Sequence, residues 1–257
     1  MEKSTVQKNH YAIDPQTGRM SITVVFGDKL AILLSDKIMA VHKDFPKKDF
    51  CTSVKKQVVG KRYTERIEIL ADALKRYLPE KYSEALAILL QILGPENEEE
   101  TGMFTHFYWL MPVGKFIEKY GLDHFALSIK AIEEVTKRNT GEYAIRPYAR
   151  THPDKILAVC RKWARSKNFH LRRLASEGLR PKLPWAPKLD VWNENPKPVF
   201  EILEILKEDG VKFVKRSVAN HLRDWLKVNP QEAKKIIDQW SKSNNEHTRW
   251  ILKHAQR

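Results

Sequence analysis

Ser166-Lys167-Asn168-Phe169-His170-Leu171-Arg172-Arg173-Leu174-Ala175 is a short polar turn running into a helix whose first turns carry cations. The scheme returns twice. Glu208-Asp209-Gly210-Val211-Lys212 leads into Val214-Lys215-Arg216-Ser217-Val218-Ala219, and Ser243-Asn244-Asn245-Glu246 leads into His247-Thr248-Arg249-Trp250-Ile251. An amphipathic helix precedes each turn. Arg173 to Arg216 spans 43 positions and Arg216 to Arg249 spans 33. Paired helices at a spacing near 40 read as HEAT-like repeats, which stack because no pair buries its apolar face alone. The expected fold is all-α: a HEAT-like repeat α-solenoid, an α-α superhelix whose second helices line a concave basic face.

The rest of the chain agrees with that reading. Apolar residues recur at three- and four-residue spacing in Lys29–Val41, Arg62–Tyr77, Tyr82–Leu93, Leu122–Lys137, Asp154–Ala164 and Pro198–Leu206. Breakers fall between them at Pro46, Gly94-Pro95, Gly121, Gly141, Pro153 and Pro196. Residues 1–24 read as an irregular segment, with a turn-like Ile13-Asp14-Pro15-Gln16-Thr17-Gly18. The β-branched run Ile22 to Val25 reads as a brief strand. Residues 25–257 then form one HEAT-like domain, a length ample for a sizeable core.

Composition narrows the function. Forty-six Lys and Arg against 32 Asp and Glu give a net charge of +14. An excess this large favours a polyanion partner over a mere solubility surface, and nucleic acid leads because each neutralised phosphate releases counterions. A basic channel along the second helices suits a duplex backbone. The competing reading is that their cations only hydrogen-bond the preceding turns' carbonyls. No apolar run approaches a membrane span, no lysine tract flanks an apolar helix face, and Met1–Asp14 lacks a signal peptide's apolar region. Cys51 and Cys160 lie in no CxxC, which fits a reduced, cytoplasmic setting. HExxH, GxGxxG and Walker A motifs are absent, and the nine histidines show no metal spacing, so neither metal nor cofactor is expected. His106, within Phe104–Trp109, and the tryptophans 163, 192, 225, 240 and 250 read as packing residues. Trp192 follows a proline-rich loop and is the one of these that reaches toward DNA.

Carboxylates within the basic region carry the sharper signal. Arg172, Arg173, Arg180 and Lys182 surround Glu177, which a Gly178 and Pro181 stop leaves at a helix end. Glu177 follows Arg173 by four positions, so they share a helix face. Asp224 follows Arg216 by eight, with Asn220 between, and Glu142 opens Glu142-Tyr143-Ala144-Ile145-Arg146-Pro147. Two readings stand at this point. The three acids converge from adjoining repeats, or they form ordinary surface ion pairs worth little each.

The run Arg172-Arg173-Leu174-Ala175-Ser176-Glu177-Gly178-Leu179-Arg180-Pro181-Lys182-Leu183-Pro184-Trp185 resembles the signature of AlkC-type DNA alkylation repair glycosylases, in the AlkC/AlkD HEAT-like superfamily. So do Glu142–Pro147, Lys215–Asp224 and Thr248–Ala255, and more weakly Ala85–Leu90 leading to Gly94-Pro95. The resemblance runs from about residue 28 to the C-terminus. It implies hydrolysis of the N-glycosidic bond of cationic alkylated bases in double-stranded DNA, such as 3-methyladenine, 3-methylcytosine and 1-methyladenine, by a monomer and without extrusion of the base into a deep pocket. Family acidic positions fall on Glu142, Glu177 and Asp224, and the active-site Trp on Trp185. Arg146, Arg172, Arg173, Arg180, Lys182, Lys215, Arg216 and Arg249 are the expected DNA contacts. The immunoglobulin-like domain that some members carry has no counterpart before Arg257.

The chemistry suits these residues. A cationic base leaves without a general acid, and fixed carboxylates stabilise the oxocarbenium-like sugar and orient water. An aromatic face such as Trp185 attracts either cation. The competing functions are a HEAT-like module that binds DNA structures without catalysis, and a scaffold for an acidic protein. Three acids plus Trp185 have no use in a pure binder, and competition by salt and duplex DNA separates the scaffold.

Overall fold

The computed structural model describes residues 12–13, 20–102 and 107–257. Residues 14–18 of the expected turn and His106 lie outside the described residues. Contacts divide the chain into two compact units, one of residues up to Asn97 with Thr101–Asn139, the other of Glu98–Glu100 with Thr140–Arg257.

The first unit holds α1 (Asp28–Val41), α2 (Lys47–Gln57), α3 (Tyr63–Tyr77), α4 (Tyr82–Gln91), α5 (Met111–Tyr120) and α6 (Phe125–Thr136). Helix α1 packs on α2, α2 on α3, and α3 on α5. Ahead of them Ala12–Ile13 and Met20–Ser21 form a two-residue antiparallel pair. The strand expected over Ile22–Val25 is a 3-10 helix instead, because Ser21 Oγ accepts from Thr23 N at 3.2 Å and closes a turn. Periodicity missed α2, where Phe50 and Val54 are the only buried residues, and α5, which opens on Met111-Pro112.

The second unit carries the repeats: α7 (Arg146–Thr151), α8 (Pro153–Trp163), α9 (Phe169–Glu177), α10 (Lys197–Leu206), α11 (Lys212–Val228), α12 (Pro230–Ser241) and α13 (Glu246–Ala255). Helices α9, α11 and α13 are the second helices read from the sequence, and α11 packs against both of the others. Two of the turns end in a side-chain cap, and the third is closed by an aspartate. Asn168 Oδ1 accepts from His170 N at 2.9 Å, and Asn245 Oδ1 accepts from His247 N at 2.9 Å. Asp209 Oδ1 accepts from Val211 N at 2.9 Å just before α11. The apolar faces close around Trp163, Trp225 and Trp240, all fully buried. Trp192 is buried too, so it packs under its loop rather than standing out toward a partner. Among the described residues no helix is long and apolar enough to cross a membrane.

Candidate active site

Helix α9 ends at Glu177, where the C-terminal carbonyls disfavour an anion. Gly178 then lets the chain turn against its neighbours. A Cβ there would lie 2.7 Å from Ile145 Cγ2 and 3.1 Å from the Leu174 carbonyl oxygen. That close approach delivers Arg180 beneath the helix end, with its Nη1 donating to Glu177 Oε1 at 2.7 Å. Arg180 Nε donates to Asp224 Oδ2 on α11 at 2.8 Å. On the other side Arg173 reaches Glu177 Oε1 at 3.4 Å and forms an ion pair with Glu142 Oε2. Thr140 Oγ1 donates to the same Glu142 oxygen at 2.8 Å.

The three acids therefore converge, as one of the two sequence readings holds. Glu142, Arg173, Glu177, Arg180 and Asp224 alternate in sign along one buried line, and the carboxylates are only 4%, 6% and 7% exposed. Asp224 pairs with Arg180, not with Arg216 one turn-set earlier on its own helix; Arg216 is exposed. The oxygens are unequally occupied. Both oxygens of Glu177 are taken, Oε2 by the Ser217 hydroxyl at 2.6 Å. Glu142 Oε1 and Asp224 Oδ1 carry no hydrogen bond from any described residue.

Their acidities diverge accordingly. Burial raises Glu142 and Asp224 above ordinary carboxyls, against the opposing pull of Arg173 and Arg180. Burial acts on Glu177 as well, but two guanidiniums and the Ser217 hydroxyl outweigh it and bring Glu177 below the usual range. The centre holds a firm anion flanked by two softer ones.

Arg146 is 2% exposed, and burial followed by repulsion from Arg150 and Arg180 brings it down to about 10. Its guanidinium donates to the carbonyls of Gly178 at 3.3 Å, Arg180 at 2.8 Å and Pro187 at 2.7 Å. Arg150 adds the Lys188 carbonyl at 2.8 Å, and Leu189 N donates to the Pro181 carbonyl at 3.1 Å. The loop 181–189 is thus clamped at both ends. It presents Trp185, 70% exposed, at φ 60°, a left-handed conformation rare for a bulky residue.

The expected cations separate into two sets. Arg146, Arg173 and Arg180 face inward and are committed to carboxylates or carbonyls, which leaves them poorly placed to grip a phosphate. Arg172 donates to the carbonyls of Ser166 at 2.9 Å and Lys167 at 3.0 Å and pairs with Asp209 at 2.6 Å, which is the capping role that the sequence left open. Lys182, Arg216 and Arg249 are exposed, and Lys215 is half-buried over the Trp250 ring at 5.3 Å. Sequence reasoning missed Thr140, Ser176, Ser217 and His221. One signal was present, since Ser217, His221 and Asp224 recur at helical spacing on the buried face of α11, where apolar residues belong. Among the described residues no group of His, Cys, Asp or Glu is arranged to hold a metal ion.

Known proteins are similar to this chain. A protein of Bacillus subtilis strain 168, described as uncharacterized protein YhaZ, is 36% identical over 234 residues. The match takes in 91% of this chain and 63% of the relative. The solved structure of the Pseudomonas fluorescens alkylpurine DNA glycosylase AlkC, bound to DNA containing an abasic site analog, superposes with a TM-score of 0.81 at 29% identity. It too is matched over 91% of this chain and 63% of its own. The chain therefore spans just under two thirds of the length of both. Residues 51–257 match the family described as DNA alkylation repair enzyme. With four fifths of its length in that match, the chain belongs to the DNA alkylation repair enzyme family.

Proposed function

We propose that this protein is a DNA glycosylase that removes cationic alkylated bases, of the 3-methyladenine type and including 3-methylcytosine and 1-methyladenine, from double-stranded DNA. The observation that carries the reading is the pair of unoccupied carboxylate oxygens, Glu142 Oε1 and Asp224 Oδ1, at the ends of a rigid line of alternating charge. A site built only to bind a polyanion gains nothing from buried acids, whereas a site where cationic charge shifts from base to sugar does. The alkylated base leaves with the electron pair of the bond to C1′ and becomes neutral. Water adds at C1′ and passes its proton to a carboxylate. Asp224, raised by burial, is the better suited proton acceptor, and Glu142 opposes the sugar's developing charge. Glu177 holds Arg173 and Arg180 in place between them. Trp185 offers its face to the lesion at the surface, which fits catalysis without a deep base pocket. Lys182, Lys215, Arg216 and Arg249 take the phosphates. The name of the Pseudomonas protein, an alkylpurine DNA glycosylase, and the abasic-site DNA in its structure support the same reading.

The test is base release from methylated duplex DNA by the purified protein in the presence of a chelator. We expect 3-methyladenine release, reduced at least about 100-fold by Asp224→Asn with DNA binding retained. No release from any of several cationic lesions by the unmodified protein sinks the enzyme reading and leaves a binding module.

A further inference from the structure

The Ser217 hydroxyl lies 2.6 Å from Glu177 Oε2 and 3.0 Å from the Ser176 hydroxyl, and Ser176 Oγ lies 3.4 Å from His221 Nδ1. All four residues are buried. Three contacts need three protons, and three are available: one on each hydroxyl and one on a neutral imidazole. An ionised carboxylate only accepts, so the Ser217 proton goes to Glu177. The geometry also lets Ser217 donate to Ser176, but with its one proton spent on the shorter contact to the charged Glu177 that link takes the Ser176 proton, and His221 donates from Nδ1 to Ser176. Any other allocation sets two lone pairs face to face in a buried contact. The allocation leaves His221 Nε2 as a bare lone pair. That atom is buried with no partner among the described residues, and a lone acceptor is tolerated better than a lone N–H.

We propose that His221 is a positioning residue: through Ser176 and Ser217 it fixes Glu177 as a pure hydrogen-bond acceptor, and so holds Arg173 and Arg180 aligned between Glu142 and Asp224. The catalytic consequence rests on the glycosylase reading; the hydrogen-bond chain does not. The groups facing Glu177 are Arg173 on its own helix, Arg180 from the following turn, Ser217 from α11, and the charges of Glu142 and Asp224. Those facing His221 are Arg180, Glu177 and Arg146, with the Trp225 ring stacked 6.3 Å away. Burial, reinforced by Arg180 and Arg146, pushes His221 down to about 3, although Glu177 and the Ser176 backbone favour its charged form. The ring therefore stays neutral wherever the protein works, and the direction of the chain does not change with pH.

The tautomer is directly readable by long-range proton–nitrogen NMR of the imidazole in the full chain. We expect the proton on Nδ1. In Glu177→Gln the amide oxygen must face the guanidiniums at the Oε1 position, so the NH2 group takes the place of Oε2 and becomes a donor. The chain then runs backwards, and the His221 proton moves to Nε2. An Nε2–H ring in the unmodified protein, or an unchanged tautomer in Glu177→Gln, overturns the assignment. A second arm reads the pH profile of base release. Ser217→Ala lets Glu177 turn and loosens Arg180 from Asp224, whose carboxyl then rises further, and this should move the acid limb up by about half a pH unit or more. Ser217→Thr, which keeps the hydroxyl, should restore it. A profile unmoved by Ser217→Ala overturns the link to catalysis. If the unmodified protein releases no base, the glycosylase reading fails, and the tautomer still decides the chain.

Discussion

Replacing Arg180 with Met isolates the energetics of the buried charge line. The guanidinium is nearly enclosed and donates to Glu177 at 2.7 Å and to Asp224 at 2.8 Å. Methionine fills a similar length of the cavity without charge. Glu177 keeps Ser217 and the more distant Arg173, while Asp224 loses the one cation paired with it. Breaking a buried pair in this way costs about 3–5 kcal/mol, most of it from the carboxylate left uncompensated. For a chain of this size that is a fall of about 6–20 °C in Tm. The cost depends on pH, and its sign follows from linkage. Asp224 is already raised by burial and rises further without Arg180. A carboxyl with a raised folded pKa contributes stability at low pH that is lost as pH rises through that pKa. His221 acts in the same direction, because Arg180 helps to keep it neutral and its removal eases protonation. The gap between Arg180→Met and the parent should widen from pH 5 to pH 8 in urea or thermal unfolding. Arg180→Lys should recover only part, since one ammonium cannot serve both carboxylates in the planar geometry. A loss under about 1 kcal/mol at pH 8, or a gap that narrows with rising pH, refutes the argument.

Four further outcomes follow from the same geometry. Gly178→Ala should destabilise by about 1–3 kcal/mol in chemical denaturation, because its Cβ would meet Ile145 Cγ2 at 2.7 Å. Trp185→Gly should raise stability by about 1 kcal/mol by relieving the φ of 60°, while base release falls. Between about pH 6.5 and the folded value near 3, the unfolded chain binds a proton at His221 that the folded chain refuses. Stability should therefore drop by up to about 1.4 kcal/mol per pH unit on acidification, and His221→Gln should flatten that slope by one proton. Lys182→Ala, Arg216→Ala and Arg249→Ala should each lower the slope of log affinity for duplex DNA against log salt by about 0.9, as expected for cations that sit on phosphates.

The repeat was legible because helix pairs obey local rules. Turn and amphipathic period lie within a few residues, so α9, α11 and α13 could be placed after the polar turns that hold Asn168, Asp209 and Asn245. Helix α7 escaped because its six residues, Arg146-Pro147-Tyr148-Ala149-Arg150-Thr151, are too few to display a period. The site was half legible. Three acids among arginines marked the region, but spacing along one helix suggested Arg216 for Asp224, whereas the partner is Arg180, 44 positions away. Such pairings are set by how Gly178 lets one turn approach another, and no periodicity encodes that distance. The fate of the arginines was hidden for the same reason. Arg146 and Arg216 look alike in a sequence, and only packing decides that one stitches a loop while the other faces solvent. Ser217 and His221 were missed although they share with Asp224 a helical spacing along the apolar face of α11, because that spacing does not say which polar groups across the packing they meet.

The guanidiniums of Arg146, Arg173 and Arg180 balance the three buried carboxylates, so the inner cluster is electrically neutral and the whole +14 lies elsewhere on the chain. Docking and chemistry therefore respond to different electrolytes. Dissolved ions screen the outer cations within about 8–10 Å at ordinary ionic strength, whereas desolvated pairs 3 Å apart exclude them. Rising salt should loosen the grip on DNA steeply and leave the turnover of an already seated lesion nearly untouched. On the glycosylase reading proposed above, capture is a property that the cell's ionic medium can adjust, and bond cleavage is one that it cannot reach.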